Sequence, residues 1–127
     1  MAEIIVIGHG GYGDGVRTNL EMVTGVPANM HFLNFTKEQD RAKLEAQLDE
    51  MLGKLSDREV LLCCDLPGAT PFQAAAIRTA SNAERYRVVV GLNQMAYMEL
   101  AMDSSQTVEE LAKRAVETTK ESVMQFP

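Results

Sequence analysis

Two short apolar runs, each ending at once in glycine or a polar residue, constrain the fold of this chain more than any other feature. The first is Ile4-Ile5-Val6-Ile7, followed by Gly8-His9-Gly10-Gly11, and the second is Val60-Leu61-Leu62-Cys63-Cys64, which begins after Glu59 and stops at Asp65. Short continuous runs rich in β-branched or other apolar residues are typical of strands buried on both faces, as in a parallel sheet. The chain is therefore expected to fold around such a sheet.

The rest of the sequence alternates between strand and helix patterns. Strands are predicted over residues 4–7, 30–35, 59–64 and 86–91, and helices over residues 13–24, 37–55, 70–80, 93–102 and 108–123. This alternation indicates a parallel sheet with helices on both faces. At 127 residues, the chain fits one domain spanning residues 1–127. We predict a single doubly wound α/β domain with a mainly parallel central sheet in the order 2-1-3-4, flanked by helices.

His9 is the first candidate for chemistry, because it lies between glycines at the end of the first predicted strand, where packing neighbours are few. Neutral imidazole is nucleophilic and titrates at about pH 6.5. The glycines allow close approach of the backbone, and the helix that begins just beyond supplies unpaired N–H groups suited to an anion. We interpret this segment as a phosphate-receptive loop with a nucleophile inside it.

Asp65 follows the third strand, whose carboxyl end meets that of the first strand in the order 2-1-3-4. A carboxylate that accepts the N–H of one imidazole nitrogen fixes the tautomer and leaves the other nitrogen free to attack phosphorus. Thr70 is predicted to be the N-cap of the next helix, with Pro71 at the first helical position and Gln73 as capping-box partner. The amides of that helix start also suit a phosphoryl oxygen. A turn-forming role for Asp65 and a capping role for Thr70 are the structural alternatives.

Other residues that could carry chemistry are interpreted as structural. His31 lies inside the second predicted strand, away from its ends, and is expected to be structural or surface-exposed. Cys63 and Cys64 are adjacent in an apolar run, a spacing that suits neither a disulfide nor a metal site, so both are predicted to be buried. A methionine stripe at helical spacing is predicted to lie in the core or at a dimer contact; it comprises Met95, Met98 and Met102.

The net charge of −6 at pH 7, with Lys and Arg scattered along the chain, argues against a nucleic-acid surface. A protein partner is expected to bring a positive patch. The N-terminal Met1-Ala2-Glu3 has no basic region and no small-residue cleavage site follows it, which argues against a secretory signal. No segment approaches the ~20 apolar residues of a transmembrane helix. We therefore expect a cytoplasmic protein.

Three stretches together resemble the EIIA domain of the mannose family of the bacterial phosphoenolpyruvate-dependent sugar phosphotransferase system (PTS). They are Ile4-Ile5-Val6-Ile7-Gly8-His9-Gly10, Asp65-Leu66-Pro67-Gly68-Ala69-Thr70-Pro71-Phe72, and Gly91-Leu92-Asn93 with Met95. The resemblance covers nearly the whole chain. Gly8 replaces a common Thr, and Ala69 and Gln73 stand where family members often have Gly and Asn. These departures touch the shape of the loops and leave the His and the Asp in place.

The resemblance implies a phosphotransferase function. His9 would accept a phosphoryl group from phospho-HPr and pass it to EIIB, and onward to a sugar that enters through the membrane subunits EIIC and EIID. Asp65 would orient the ring of His9, and the phosphate would be bound by Gly10, Gly68, Ala69 and Thr70, with no metal or cofactor. The chain would associate transiently with the membrane permease complex. The family also implies a homodimer that exchanges a short antiparallel C-terminal strand, for which residues 122–126 are the candidate.

Two other functions stay open as alternatives. The segment Gly8-His9-Gly10-Gly11-Tyr12-Gly13 fits the dinucleotide-binding pattern G-x-G-x-x-G, but residues 34–36, where that fingerprint requires an acid, are Asn-Phe-Thr. A receiver-like signalling domain phosphorylated on Asp65 is the second alternative. It would need Mg²⁺ held by several oxygen ligands, whereas the first strand ends in Gly8-His9 and no lysine follows the fourth strand.

Overall fold

The computed structural model describes residues 1–127 and consists of a four-stranded sheet between two layers of helices. The strands are β1 (Glu3–His9), β2 (Met30–Phe35), β3 (Val60–Cys64) and β4 (Tyr86–Val90). The helices are α1 (Tyr12–Val23), α2 (Arg41–Lys54), α3 (Thr70–Ser81), α4 (Gln94–Met102) and α5 (Val108–Ser122). The strand order is β2-β1-β3-β4 and every pair is parallel, so the predicted fold class and strand order are confirmed.

The two central strands, β1 and β3, are buried on both faces because helices cover each side of the sheet. Successive side chains of a strand point to opposite faces, so each apolar run contributes side chains to two hydrophobic cores, one on each face of the sheet. One core packs against α1, α4 and α5 and takes from these strands Ile4, Val6, Leu61 and Cys63. The other packs against α2 and α3 and takes Ile5, Ile7, Leu62 and Cys64. Both cysteines are free and fully buried, as predicted.

The register of β1 and β3 brings their carboxyl ends to one edge of the sheet. Ile7 lies beside Cys64, so His9, the last residue of β1, and Asp65, the first residue after β3, both lie at that edge. Gly91 follows the end of β4 and its N–H donates to the carbonyl of Cys64 (3.0 Å). The loops after β1 and β3 therefore meet where the strand order reverses, which is the usual ligand site of an open α/β sheet.

Two helix starts differ from prediction. α2 begins at Arg41 rather than at residue 37, because the carboxylate of Asp40 caps the helix by accepting the N–H of Lys43 (2.8 Å). The N-cap of α3 is Ala69, not Thr70, so Thr70 is the first helical residue and its hydroxyl caps nothing. The predicted capping box is also wrong, since the side chain of Gln73 donates to the carbonyl of Gly68 (2.8 Å). The left-handed turn at Gly68, with φ of +75°, moves the extended cap position to Ala69.

α4 and the C-terminal segment also depart from expectation. Met95 and Met102 are 49% and 73% exposed, so neither lies in the core, while Met98 packs against it. For Met95 and Met102 the alternative of a dimer contact stays a prediction. Tyr97 and Leu100 fill the core from this helix instead. Residues 123–127 form no strand within the single chain, and the exchanged strand stays a prediction. Among the helices, none has the length and apolar character needed to cross a membrane.

Candidate functional site

A hydrogen-bonded pair, His9 and Asp65, joins the ends of β1 and β3. Nδ1 of His9 lies 2.8 Å from Oδ2 of Asp65, and the backbone N–H of His9 donates to the same oxygen (2.9 Å). Because an ionised carboxylate only accepts hydrogen bonds, the neutral ring carries its proton on Nδ1, which leaves the lone pair on Nε2. The His9 side chain is 40% exposed, whereas that of Asp65 is 12% exposed. The nucleophilic ring is therefore open to a partner, and its acidic neighbour is shielded.

The carboxylate of Asp65 is held ionised by its contacts. Burial raises the pKa of Asp65, but the hydrogen bonds from the backbone and ring of His9 outweigh burial and bring the pKa below its ordinary value. The backbone N–H of Leu66 donates a hydrogen bond to the other carboxylate oxygen, Oδ1 (2.9 Å). At neutral pH, Asp65 is thus a fixed negative charge that can stabilise a positively charged imidazole.

The end of β2 supports the His9 ring from the other side. Phe35 meets it edge-on, with ring centroids 5.8 Å apart. The N–H of Gly10 donates to the carbonyl of Phe35 (2.8 Å), and Gly10 has a φ of +56°, a left-handed conformation that favours glycine. Gly10 therefore turns the chain after His9 while its N–H is already engaged. Any contribution to phosphate binding would come from its lack of a side chain.

The start of α3 lies in the loop after Asp65 and supplies free donors. The N–H groups of Ala69, Thr70 and Phe72 make no hydrogen bond within the chain, and Pro71 has no N–H. Unpaired donors at the positive end of a helix dipole suit an anion. The structure thus brings Gly68, Ala69 and Thr70 to the sheet edge that holds His9 and Asp65. Gln73 and Arg41 brace this loop: Arg41 Nη1 donates to Gln73 Oε1 (2.7 Å).

Three aromatic residues near the site were not predicted from the sequence: Tyr12, Tyr97 and Phe35. Tyr12 lies against Gly8, and its hydroxyl is 2.5 Å from that of Tyr97, which is 1% exposed. Phe35 could have been found, since it ends the strand next to β1. No local pattern could have joined Tyr12 to Tyr97, because 85 residues separate them.

The last glycine of the pattern, Gly13, allows α1 to pack on the end of β2. A Cβ at Gly13 would lie 2.9 Å from Asn34 Oδ1 and 3.2 Å from the backbone of Leu33. Asn34 in turn donates to the carboxylate of Asp14 (2.8 Å) and accepts its N–H (3.2 Å). The end of β2, where a dinucleotide fingerprint places its acid, is therefore filled by contacts within the chain.

The second histidine lies away from this edge and has a structural partner. Nε2 of His31 is 2.8 Å from Oε1 of Glu3, whose side chain is 8% exposed. This pair joins the starts of β1 and β2, which agrees with the structural role expected for His31. No group of three or more His, Cys, Asp or Glu side chains is placed to hold a metal ion.

The matching family model and the similar curated proteins point to the same family of proteins. The family EIIA-man, described as "PTS system fructose IIA component", matches residues 3–116. The mannose-specific EIIAB component of the PTS from Escherichia coli K12 is 32% identical over 127 residues, which cover 97% of this chain and 39% of that protein. The chain thus spans well under half the length of the curated relatives it matches.

Solved structures share the fold. The mannose/sorbose-specific IIA subunit of the phosphotransferase system from Enterococcus faecalis has a TM-score of 0.92 and 25% identity, covering 99% of this chain and 95% of that one. Component EIIA of the phosphotransferase system from Streptococcus agalactiae has a TM-score of 0.90 and 24% identity, covering 99% of this chain and 98% of that one. The second likeness supports the fold alone.

Proposed function

Because this chain belongs to the EIIA-man family of PTS components, we propose that it carries a phosphoryl group on Nε2 of His9. The phosphoryl group comes from phospho-HPr and passes to EIIB, and onward to a sugar entering through EIIC and EIID. The observation that carries the proposal is the 2.8 Å contact between Nδ1 of His9 and Oδ2 of Asp65. This contact supports a neutral tautomer with the proton on Nδ1 and the lone pair on Nε2.

Transfer follows from that tautomer. The lone pair on Nε2 attacks phosphorus, the N–P bond forms, and the bond from phosphorus to the donor protein breaks. The ring becomes cationic with its proton still on Nδ1, and the nearby carboxylate of Asp65 stabilises that charge. The free N–H groups of Ala69, Thr70 and Phe72 are the proposed donors to the phosphoryl oxygens. Handing the group to EIIB reverses these steps.

Phosphorylation of Asp65, as in a receiver, has less support than phosphorylation of His9. Oδ2 of Asp65 already accepts two hydrogen bonds from His9, and Oδ1 accepts one from Leu66. The exposed group of the pair is the ring. Dinucleotide binding also has less support, since Asn34 at the end of β2 is engaged with Asp14.

We also propose a cytoplasmic homodimer built by exchange of the segment after α5. Val123, Met124 and Phe126 are 71%, 82% and 95% exposed, which is unfavourable for apolar side chains in an isolated chain. β4 has a free edge, and an open groove beside it is lined by Val88, Val89 and Val116. The tail of a second copy could pair with this edge and cover the groove.

Labelling tests the phosphohistidine. Incubation with phosphoenolpyruvate, the general phosphotransferase enzyme and HPr should add a single phosphate that is stable in base and lost in acid. His9→Ala should abolish labelling with the fold intact, while His31→Gln, which changes the other histidine, should label normally. An adduct labile in both acid and base would instead indicate an acyl phosphate on Asp65, and labelling of His9→Ala would reject the site.

The role of Asp65 in orienting the ring is tested by Asp65→Asn, which should slow labelling by favouring the wrong tautomer of His9. A wild-type rate of labelling would show that Asp65 does not orient the ring.

A further inference from the structure

Two side chains converge on the space above Gly8. A Cβ at this position would lie 2.5 Å from Cδ2 of Tyr12 and 2.8 Å from Cγ of Asp65, closer than real Cβ contacts. Gly8 is itself buried between β2 and β3 at the end of the sheet. The ring of Tyr12 and the carboxyl of Asp65 can therefore share this space only because residue 8 has no side chain.

Tyr12 is fixed in that place by a second tyrosine. Its hydroxyl lies 2.5 Å from the hydroxyl of Tyr97, and the two rings meet edge-on with centroids 6.5 Å apart. Tyr97 comes from α4 and is 1% exposed, so it is a rigid anchor. Tyr12 thus links the buried core under α4 to the carboxyl group that contacts His9.

The ring next to Asp65 is uncharged. Burial raises the pKa of Tyr12 to about 12, with the neighbouring charge of Asp65 acting in the same direction, although the hydrogen bond with Tyr97 lowers it. A phenolate that would repel Asp65 does not form near neutral pH. The Asp65 carboxyl therefore has the N–H of Leu66 at Oδ1, His9 at Oδ2, and a neutral aromatic ring on the far side of the space above Gly8.

We infer that Tyr12 is a positioning residue: anchored by Tyr97, it holds the Asp65 carboxylate where Oδ2 accepts the Nδ1–H of His9. Without the ring, the space above Gly8 opens and the carboxyl group can turn into it. His9 is then free to carry its proton on Nε2, where that proton blocks attack on phosphorus. The consequence for transfer rests on the proposed function, whereas the effect on the tautomer of His9 does not.

The tautomer of His9 can be read directly by NMR of protein labelled with ¹⁵N-histidine, because the two ring nitrogens have different shifts and couplings. We expect the wild-type ring to carry its proton on Nδ1 and Tyr12→Ala to give a mixture of tautomers. Tyr12→Phe and Tyr97→Phe each remove the hydroxyl contact and should give smaller changes of equal size that do not add in the double variant. Tyr86→Phe is the matched control, a buried tyrosine at the start of β4, and should leave the His9 spectrum unchanged.

Phosphoryl acceptance from phospho-HPr supplies the second readout. Tyr12→Ala should slow it on the order of tenfold, the lower range for a residue that orients a functional group through another. A Tyr12→Ala protein with lower thermal stability but a wild-type His9 spectrum would overturn the inference. If Tyr12→Ala does not fold, a wild-type His9 spectrum in both phenylalanine variants overturns it equally. Failure of wild-type protein to accept phosphate would reject the proposed function, and the spectra would still decide the role of Tyr12.

Discussion

Replacement of Gly8 by Ala should destabilise the fold and disturb the site at once. The new methyl group would meet the ring of Tyr12 at 2.5 Å and the carboxyl of Asp65 at 2.8 Å. Overpacking of a buried position costs about 1–3 kcal/mol. Because Tyr97 anchors the ring, little relaxation is available on that side and we expect about 2–3 kcal/mol. Replacing glycine by alanine within a strand also stabilises the folded state by about 0.5–1 kcal/mol, which offsets part of that cost.

The net expectation is a free energy of unfolding lower by about 1–2.5 kcal/mol. For a domain of this size, 1 kcal/mol shifts Tm by about 4 °C, so Gly8→Ala should melt roughly 4–10 °C below wild type. Gly15→Ala is the control, because a Cβ there meets nothing within 4 Å and the residue lies inside α1. It should stabilise the protein by about 0.5–1 kcal/mol.

A double-variant cycle in urea separates the clash from a general strand effect. In a Tyr12→Ala background the ring is absent, so Gly8→Ala should cost less there than in wild type, with a coupling of at least about 0.5 kcal/mol. Additive effects of the two substitutions, or a Gly8→Ala protein as stable as wild type, would refute the packing argument. The His9 spectrum of Gly8→Ala should also lose its single tautomer, since the methyl group displaces Asp65.

Two further predictions concern the contact between α2 and α3 and the segment after α5. Arg78 joins α3 to α2 through Asp49 (2.9 and 3.0 Å) and Glu45 (2.7 Å), so Arg78→Met should lower stability by about 1 kcal/mol in urea, and less at high salt. Arg78 holds the pKa of both carboxyls below their ordinary values, so its stabilisation of the fold is full above about pH 4.5 and is lost as the pH falls through the folded-state pKa values. The difference in stability between wild type and Arg78→Met should therefore shrink in acid. A difference that stays constant with pH would contradict this role of the two ion pairs. Removal of residues 123–127 should convert the proposed dimer to monomer in sedimentation velocity, whereas an unchanged sedimentation coefficient would show that the tail is not the exchanged element.

The fold and the central pair of the site were predictable because both follow from patterns in the chain. Apolar runs at β1 and β3 can be buried only in the middle of a covered sheet, and the strands alternate with helices. Once β1 and β3 are neighbours, their ends must meet, which brings His9 to Asp65. The only further assumption was the strand order.

Other features were not predictable because they depend on packing or on competition between neighbouring residues. Thr70 is a better N-cap than Ala69 by propensity, yet the turn at Gly68 sets the extended cap position one residue earlier. Met95 has the spacing of a core residue, but Tyr97 and Leu100 fill the core from α4. The exposure of the methionines on α4 depends on which face of that helix meets α1 and α5, and the sequence pattern does not specify that face.

Gly8 shows how a departure from a family pattern carries structural information. The resemblance places a common Thr at this position, and from the sequence a glycine there indicates only a change in the shape of the loop. In the structure, the space that a side chain at residue 8 would need is held by the ring of Tyr12. A threonine at residue 8 and the observed position of Tyr12 are therefore incompatible, since any Cβ would overlap the ring. The two residues form one packing unit beside Asp65, so Gly8→Thr would require the ring of Tyr12 to leave its observed position.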